Sequence, residues 1–88
     1  MKLIEVIEKI DDLDDEATIW VKVDEELNTS TKAVVAAEDE SGLNPIFSGV
    51  KYSYFLEVFI AKEIIETMPE ATISQKVNRV IYYTINDA

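Results

Sequence analysis

The stretch Ala17-Thr-Ile-Trp-Val-Lys-Val23 decides the fold, because its residues alternate with a period of two. In an extended chain, successive side chains point to opposite faces. One face would carry only aliphatic side chains: Ala17, Ile19, Val21 and Val23. The other would carry Thr18, Trp20 and Lys22. Since branched and aromatic residues suit a pleated surface, we predict a half-buried β-strand over residues 17–23.

A second short apolar run, Ala33 to Glu38, follows the polar stretch Asp24 to Thr31. Two strand-like runs joined by a polar connection are typical of a hairpin, here one with a long loop. We therefore predict that the two strands pair antiparallel. The pattern leaves their register open.

Near the start of the chain, apolar residues recur at three- and four-residue steps, the spacing of a helix with one buried face. They are Leu3, Val6, Ile7, Ile10 and Leu13. Glu5 and Lys9 stand four residues apart on the outer face, where opposite charges stabilise a helix slightly. This spacing predicts a helix over residues 2–12.

Another helix is predicted at the far end of the chain. Thr72-Ile73-Ser74-Gln75 matches the capping box, in which the Thr and Gln side chains satisfy amides of the first turn. The core stripe of this helix would be Ile73, Val77, Val80, Ile81, Thr84 and Ile85. Lys76, Arg79 and Tyr83 would share another face, where the Tyr83 ring could stack against either cation.

The stretch between residues 52 and 68 fits two descriptions. Its apolar side chains match a continuous helix, but Tyr54, Leu56 and Val58 also match a short strand. Aromatic and branched residues crowd its first half, whereas good helix formers fill the second. We therefore favour a third strand followed by a helix from about Ile60 to Met68, which Pro69 ends.

Together these elements predict an α+β fold in a single domain over residues 1–88. It would have an N-terminal helix, a two- or three-stranded antiparallel sheet and two C-terminal helices packed on one face of the sheet. Apolar residues make up 48% of the chain, enough for one core despite a net charge of −10. No run of about 18 uninterrupted apolar residues or signal-peptide pattern is present, so we expect a cytoplasmic protein without a membrane partner.

Composition excludes most chemistries of small enzymes. The chain has no Cys and no His, which removes thiol nucleophiles, Ser-His-Asp triads, disulfides and the usual zinc sites. The negative charge disfavours nucleic acids, because binding to a phosphate backbone needs a basic surface. Glu57, among apolar neighbours, is the best candidate for an unusual acid, but a place on the solvent side of its element explains it better. We predict a protein that is not an enzyme and uses no cofactor and no metal.

The acids are concentrated in the first half of the chain. Residues 1–40 hold thirteen acids and four bases, whereas residues 41–88 hold five acids and four bases. Most of the acids of the first half form three clusters, residues 11–16, 24–26 and 38–40, each at the end of a predicted element. The first cluster follows a helix C terminus, whose partial negative charge makes acids there unfavourable.

Antiparallel pairing of the first two strands would bring the first and third clusters to one edge of the molecule. The acids at this edge are the predicted partner-binding residues: Asp11, Asp12, Asp14, Asp15, Glu16, Glu38, Asp39 and Glu40. Trp20 joins them as a candidate interface anchor, because Trp is enriched among binding hot spots. The alternatives are that the acids only solubilise the loops and that a helix covers Trp20. A calcium site is a weaker alternative, since the first cluster lacks the ligand alternation of an EF-hand loop.

Four segments carry a resemblance to known proteins: Ala17-Thr-Ile-Trp20, Ala33-Val-Val-Ala-Ala-Glu38, Tyr54-Phe-Leu-Glu-Val-Phe-Ile-Ala-Lys-Glu63 and Ile81-Tyr-Tyr-Thr-Ile-Asn-Asp-Ala88. Together they resemble a family of small acidic bacterial proteins classed only as a domain of unknown function. The similarity lies in the spacing of core residues, and it implies no activity and no site.

The charge distribution points to a function in binding. We expect a non-enzymatic acidic module that inhibits or regulates a basic partner protein, as immunity proteins, antitoxins and nucleic-acid mimics do. The alternative is a small structural or assembly subunit that forms a homo-oligomer, such as a homodimer, through apolar faces that include Trp20.

Overall fold

A computed structural model describes residues 1–37, 46–47 and 49–86 of the chain. Two short helical segments come first, α1 (Leu3–Glu8) and a 3₁₀ turn (Ile10–Asp12). Four strands follow: β1 (Thr18–Lys22), β2 (Ala33–Ala36), β3 (Ile46–Phe47) and β4 (Val50–Glu57). Two helices end the described chain, α2 (Val58–Glu66) and α3 (Ile73–Asn86). The predicted α+β fold is confirmed, with three principal strands and the two-residue β3 added at one edge.

The sheet is antiparallel throughout, with strand order β2-β1-β4-β3. The predicted pairing of the first two strands is confirmed: Thr18 lies opposite Ala36, and Val21 opposite Ala33. β1 is therefore a central strand with a partner on each side. The prediction of a half-buried strand is wrong, because Thr18 and Trp20 on its second face are buried as fully as Ile19 and Val21 on the first.

A β-bulge interrupts the pairing of β1 with β4. Ile19 lies opposite Leu56, but the next residue, Trp20, lies opposite Tyr54. Phe55 is thus the extra residue of β4, and a bulge of this kind turns the strand and re-aims its side chains. Both Phe55 and Leu56 are buried in the same core as a result.

The third stretch is a strand that passes directly into a helix, as the sequence favoured. The helix begins at Val58, two residues earlier than expected, and Glu57 is its N-cap. The Val58 amide donates to the Ala17 carbonyl at 3.0 Å, which fixes the start of α2 beside the start of β1.

The main core lies between the helices and one face of the sheet. Aliphatic residues of α1, α2 and α3 form it with side chains of β1 and β4. The fully buried members include Leu3, Val6, Ile19, Val58, Val77 and Val80. Ile19 and Val21 belong to this core and Trp20 does not, which confirms the predicted division of β1 into two faces.

The first helix is shorter than predicted, because α1 ends at Glu8 and the 3₁₀ turn continues the chain to Asp12. Met1 and the first residue of α1, Leu3, pair with the chain entering β2. The Ala33 amide donates to the Met1 carbonyl at 2.7 Å, and the Leu3 amide donates to the Thr31 carbonyl at 2.8 Å. This pairing covers the first part of the outer edge of β2.

The capping box of α3 is confirmed. The Gln75 amide donates to Thr72 Oγ1 at 3.1 Å, and the Thr72 amide donates to Gln75 Oε1 at 2.8 Å. Val77, Val80 and Ile81 are buried as predicted.

Two expectations for the end of α3 are wrong. Ile85, assigned to the core stripe, is 67% exposed, because α3 packs mainly on α1 and α2 and its last turn is left uncovered. The ring that stacks on a cation is Tyr82, with the Arg79 guanidinium 5.3 Å from its centroid. Tyr83 packs against the core instead. Among the described residues, no helix has the length and apolar character needed to cross a bilayer.

Candidate functional site

The first acidic cluster lies in the 3₁₀ turn and in the connection that leads from it to β1, and we call it the acidic end. All five of its acids are exposed: Asp11, Asp12, Asp14, Asp15 and Glu16. The antiparallel pairing brings the end of β2 and the end of β4 to the same place, since Thr18 lies opposite both Ala36 and Glu57. The third predicted cluster, Glu38, Asp39 and Glu40, lies outside the described residues.

One acid of this end has a counter-charge from a distant part of the chain. Lys62 of α2 forms an ion pair with Asp15 and donates a second hydrogen bond to the Leu13 carbonyl at 2.9 Å. The carbonyl belongs to the segment that ends the 3₁₀ turn, where a cation is favourable. Tertiary structure therefore supplies the positive charge that the sequence lacks at this point.

A second acid shapes the turn into β1. The Asp14 carboxylate accepts the Glu16 amide at 2.9 Å, and the Asp14 carbonyl accepts the Ala17 amide at 3.0 Å. Such side-chain turns are the common role of Asp in a loop. The acids of this end with no structural task among the described contacts are Asp11, Asp12 and Glu16.

Trp20 lies on the sheet face opposite the helices, but it is only 4% exposed. Its indole Nε1–H donates to the Ala36 carbonyl at 3.3 Å. Its ring meets the edge of the Tyr54 ring, with centroids 6.2 Å apart and planes at 87°. Within this chain Trp20 is a packing residue, and its role as an interface anchor stays a prediction.

Tyr54 is the exposed aromatic side chain of this region. It is 46% exposed, and its hydroxyl donates to Glu57 Oε2 at 2.6 Å. Sequence reasoning missed Tyr54 as a surface residue because its position opposite Trp20 depends on the bulge at Phe55. The same hydrogen bond places Glu57 at the sheet surface, as the simpler interpretation of this acid expected.

The second acidic cluster, Asp24 to Glu26, lies at the opposite end of β1. Glu25 is structural, because Oε1 accepts the Lys32 amide at 3.0 Å and Oε2 lies 3.9 Å from Lys22 Nζ. Asp24 is exposed and has φ of 65°, a left-handed conformation that Asp and Asn tolerate better than most residues. This cluster therefore shapes the connection from β1 to β2.

The acids do not converge on one point. Within residues 1–37, 46–47 and 49–86, no group of three acidic side chains is arranged to hold a metal ion. The acidic end is a spread of separate carboxylates, whose chemistry is long-range attraction of positive charge and hydrogen-bond acceptance.

No family model, curated protein or solved structure matches this chain. The resemblance to a family of small acidic bacterial proteins stays a prediction.

Proposed function

We propose that this protein is a non-enzymatic acidic binding module that inhibits or regulates a basic partner protein. The proposal is supported by one observation above all: the five acids of the acidic end are all exposed in the short segment before β1, and Lys62 pairs with only Asp15 among them. Carboxylates exposed on a folded surface attract a basic surface and raise the rate of encounter with it.

The mechanism would be competition. A basic protein that binds phosphates presents Lys and Arg side chains. Carboxylates on a folded surface can form ion pairs with those side chains in place of the phosphates. The backbone of the acidic end is held by hydrogen bonds from the Asp12, Leu13 and Ala17 amides to carbonyls three residues earlier, so little ordering is needed on binding.

Assembly into a homo-oligomer is the second candidate. It is favoured by large apolar side chains that the isolated chain leaves in solvent: Tyr54, Phe59, Tyr82 and Ile85. The burial of Trp20 within one chain weakens the version of this candidate that uses Trp20 as the contact.

A charge-neutralised variant tests the first proposal. In the variant Asp11→Asn, Asp12→Asn, Glu16→Gln, three exposed charges are removed without touching Asp14 or Asp15. A matched variant, Asp24→Asn, Glu26→Gln, Glu70→Gln, removes three exposed charges elsewhere. Proteins captured from a cell extract by the wild type would be identified by mass spectrometry, and the best basic candidate purified and titrated by calorimetry.

We expect the purified partner to bind the wild type and the matched variant, and to bind the acidic-end variant at least about tenfold more weakly. Affinity should fall as salt is added, because exposed charges are screened. Equal losses in both variants would show generic charge attraction and reject the proposal. Analytical ultracentrifugation tests the second candidate. Protein concentrations from about 1 to 100 μM cover the dissociation constants of weak dimers, and the homo-oligomer candidate requires a dimer whose fraction rises over this range.

A further inference from the structure

A cleft of about 610 Å³ opens between the sheet and the last turn of α3. It exists because α3 packs mainly on α1 and α2, so that its C-terminal turn and the end of β1 form two separate walls. The apolar residues of its lining come from β1, β4, α2, α3 and the loop after β1, and include Val21, Leu27, Phe55, Ile60, Tyr83 and Ile85. Small-molecule sites have volumes of about 300–1,000 Å³ and mainly apolar walls with a few polar groups.

The charged residues of the cleft carry a net negative charge. Three of them line the cleft, Lys22, Asp24 and Glu25. Lys22 and Glu25 are 3.9 Å apart and largely offset each other, which leaves the charge of Asp24. The C-terminal end of α3 adds a partial negative charge, and its last turn contains no basic residue.

We propose that this cleft binds a small organic ammonium ion with an apolar body. The body would displace water from Leu27, Ile60 and Ile85, and the ammonium group would stay near Asp24, which lines the cleft and is exposed to solvent. An anion of the same shape would meet both Asp24 and the negative end of α3. This site lies at the opposite end of β1 from the acidic end, so it is independent of the proposed partner surface.

Three matched probes test the charge preference: 1-naphthylmethylammonium, 1-naphthylmethanol and 1-naphthoate. They share an aromatic body and differ in the charge of one small group. Each would be titrated into the full chain while amide and methyl chemical shifts are followed by NMR. We expect shifts confined to the cleft, with the ammonium probe binding at least about tenfold tighter than the carboxylate probe, as one nearby charge can produce.

Two pairs of variants locate the site. Asp24→Asn should weaken the ammonium probe about fivefold and leave the alcohol unchanged, since Asn accepts the same left-handed backbone. Its control, Glu26→Gln, makes the same charge change at an exposed residue outside the cleft. Ile85→Ala should weaken all three probes about threefold by removing apolar wall, whereas Tyr82→Ala, on the exposed side of the same turn, should not.

The proposal is overturned by equal affinity for the three probes, which would show adhesion to any apolar surface. It is also overturned by shifts spread outside the cleft, or by no shift in the cleft at millimolar concentrations of the ammonium probe.

Discussion

Tyr54 donates a hydrogen bond to the carboxylate of Glu57 although the two residues stand three apart in the chain, at the end of one strand. In a regular strand, side chains three apart point to opposite faces. The bulge at Phe55 removes this difference and puts both side chains on the face that carries Trp20. The same irregularity lets Phe55 and Leu56 enter the core side by side.

Phe55 should therefore be a major source of stability. Phe55→Ala removes a ring that is only 5% exposed, and we expect it to lower the free energy of unfolding by about 3 kcal/mol. Phe59→Ala is the matched control, because Phe59 is 46% exposed and its loss should cost less than about 1 kcal/mol. Urea unfolding followed by circular dichroism gives both values. Similar losses for the two variants would contradict the role given to the bulge.

Lys62 should contribute more to stability than an ordinary surface lysine. Lys62→Met removes both the ion pair with Asp15 and the hydrogen bond to the Leu13 carbonyl, and we expect a loss of about 1 kcal/mol. Asp15→Asn should cost less, because the bond to the carbonyl remains. Lys51→Met, at an exposed strand position, serves as the control and should be neutral in the same urea experiment. A loss for Lys51→Met as large as that for Lys62→Met would assign the effect to net charge alone.

Added salt should stabilise the protein. With a net charge of −10 and five exposed acids at one end, repulsion in the folded chain outweighs the few ion pairs that salt would weaken. Raising salt from low to physiological concentration, where the Debye length is about 8 Å, should increase the free energy of unfolding by about 1 kcal/mol. Thermal unfolding would show this as a rise of about 4–8 °C in Tm.

Charge reversal locates this repulsion. Asp11→Lys with Asp12→Lys should raise Tm at low salt and abolish most of the salt effect. Reversal of Asp24 and Glu26, the matched pair at the other end of β1, should change the salt effect less. A Tm that falls with salt in the wild type would show that ion pairs, and not repulsion, dominate.

The capping box of α3 offers a local test. Thr72→Ala removes the acceptor of the Gln75 amide and should cost about 1 kcal/mol. Ser74→Ala, two residues later and exposed, changes a hydroxyl of similar size and should have little effect. If both substitutions cost the same, the loss would reflect helix propensity at the N-terminal turn instead of capping.

Trp20 should report on folding within a single chain. Because Trp20 is 4% exposed, its fluorescence emission should lie at shorter wavelength in the folded chain than in the unfolded chain. Acrylamide should quench this emission weakly, and the quenching constant should increase several-fold on unfolding. The folded signal should not change with protein concentration. A quenching constant that falls as concentration rises would mean that a second copy, and not the chain itself, completes the burial of the indole.

Local patterns were sufficient to predict β1, the strand-to-helix sequence of β4 and α2, and the cap of α3, since each depends on residues close together in the chain. Three features could not be predicted from local patterns. The bulge at Phe55 is set by how β4 fits the fixed register of β1. The exposure of Ile85 depends on where α3 meets the other helices. Lys62 meets Leu13 across 49 residues, and no short-range pattern indicates such a contact.

For the candidate site, the sequence predicted which acids lie near the start of β1. It did not predict which of them make hydrogen bonds or ion pairs within the chain. Asp14 and Asp15 have the same residue type and neighbouring positions, yet one makes a turn and the other pairs with Lys62. That distinction arises from backbone geometry and from a distant helix. The cleft beside Asp24 could not be predicted from the sequence either, because a gap between two elements does not depend on the spacing of apolar residues within either element.

The central place of β1 also has a consequence for the order of events during folding. Closing the hairpin at Val21 and Ala33 restrains the eleven residues 22–32, whereas closing the pair Lys22 and Tyr52 restrains the 29 residues 23–51. The longer loop costs about 0.9 kcal/mol more in chain entropy. We expect the hairpin to form in the rate-limiting step and β4 to join later, so Val35→Ala should slow folding while Phe55→Leu mainly speeds unfolding. Stopped-flow chevron plots of the two variants would measure this, and a φ-value higher for Phe55 than for Val35 would reverse the order.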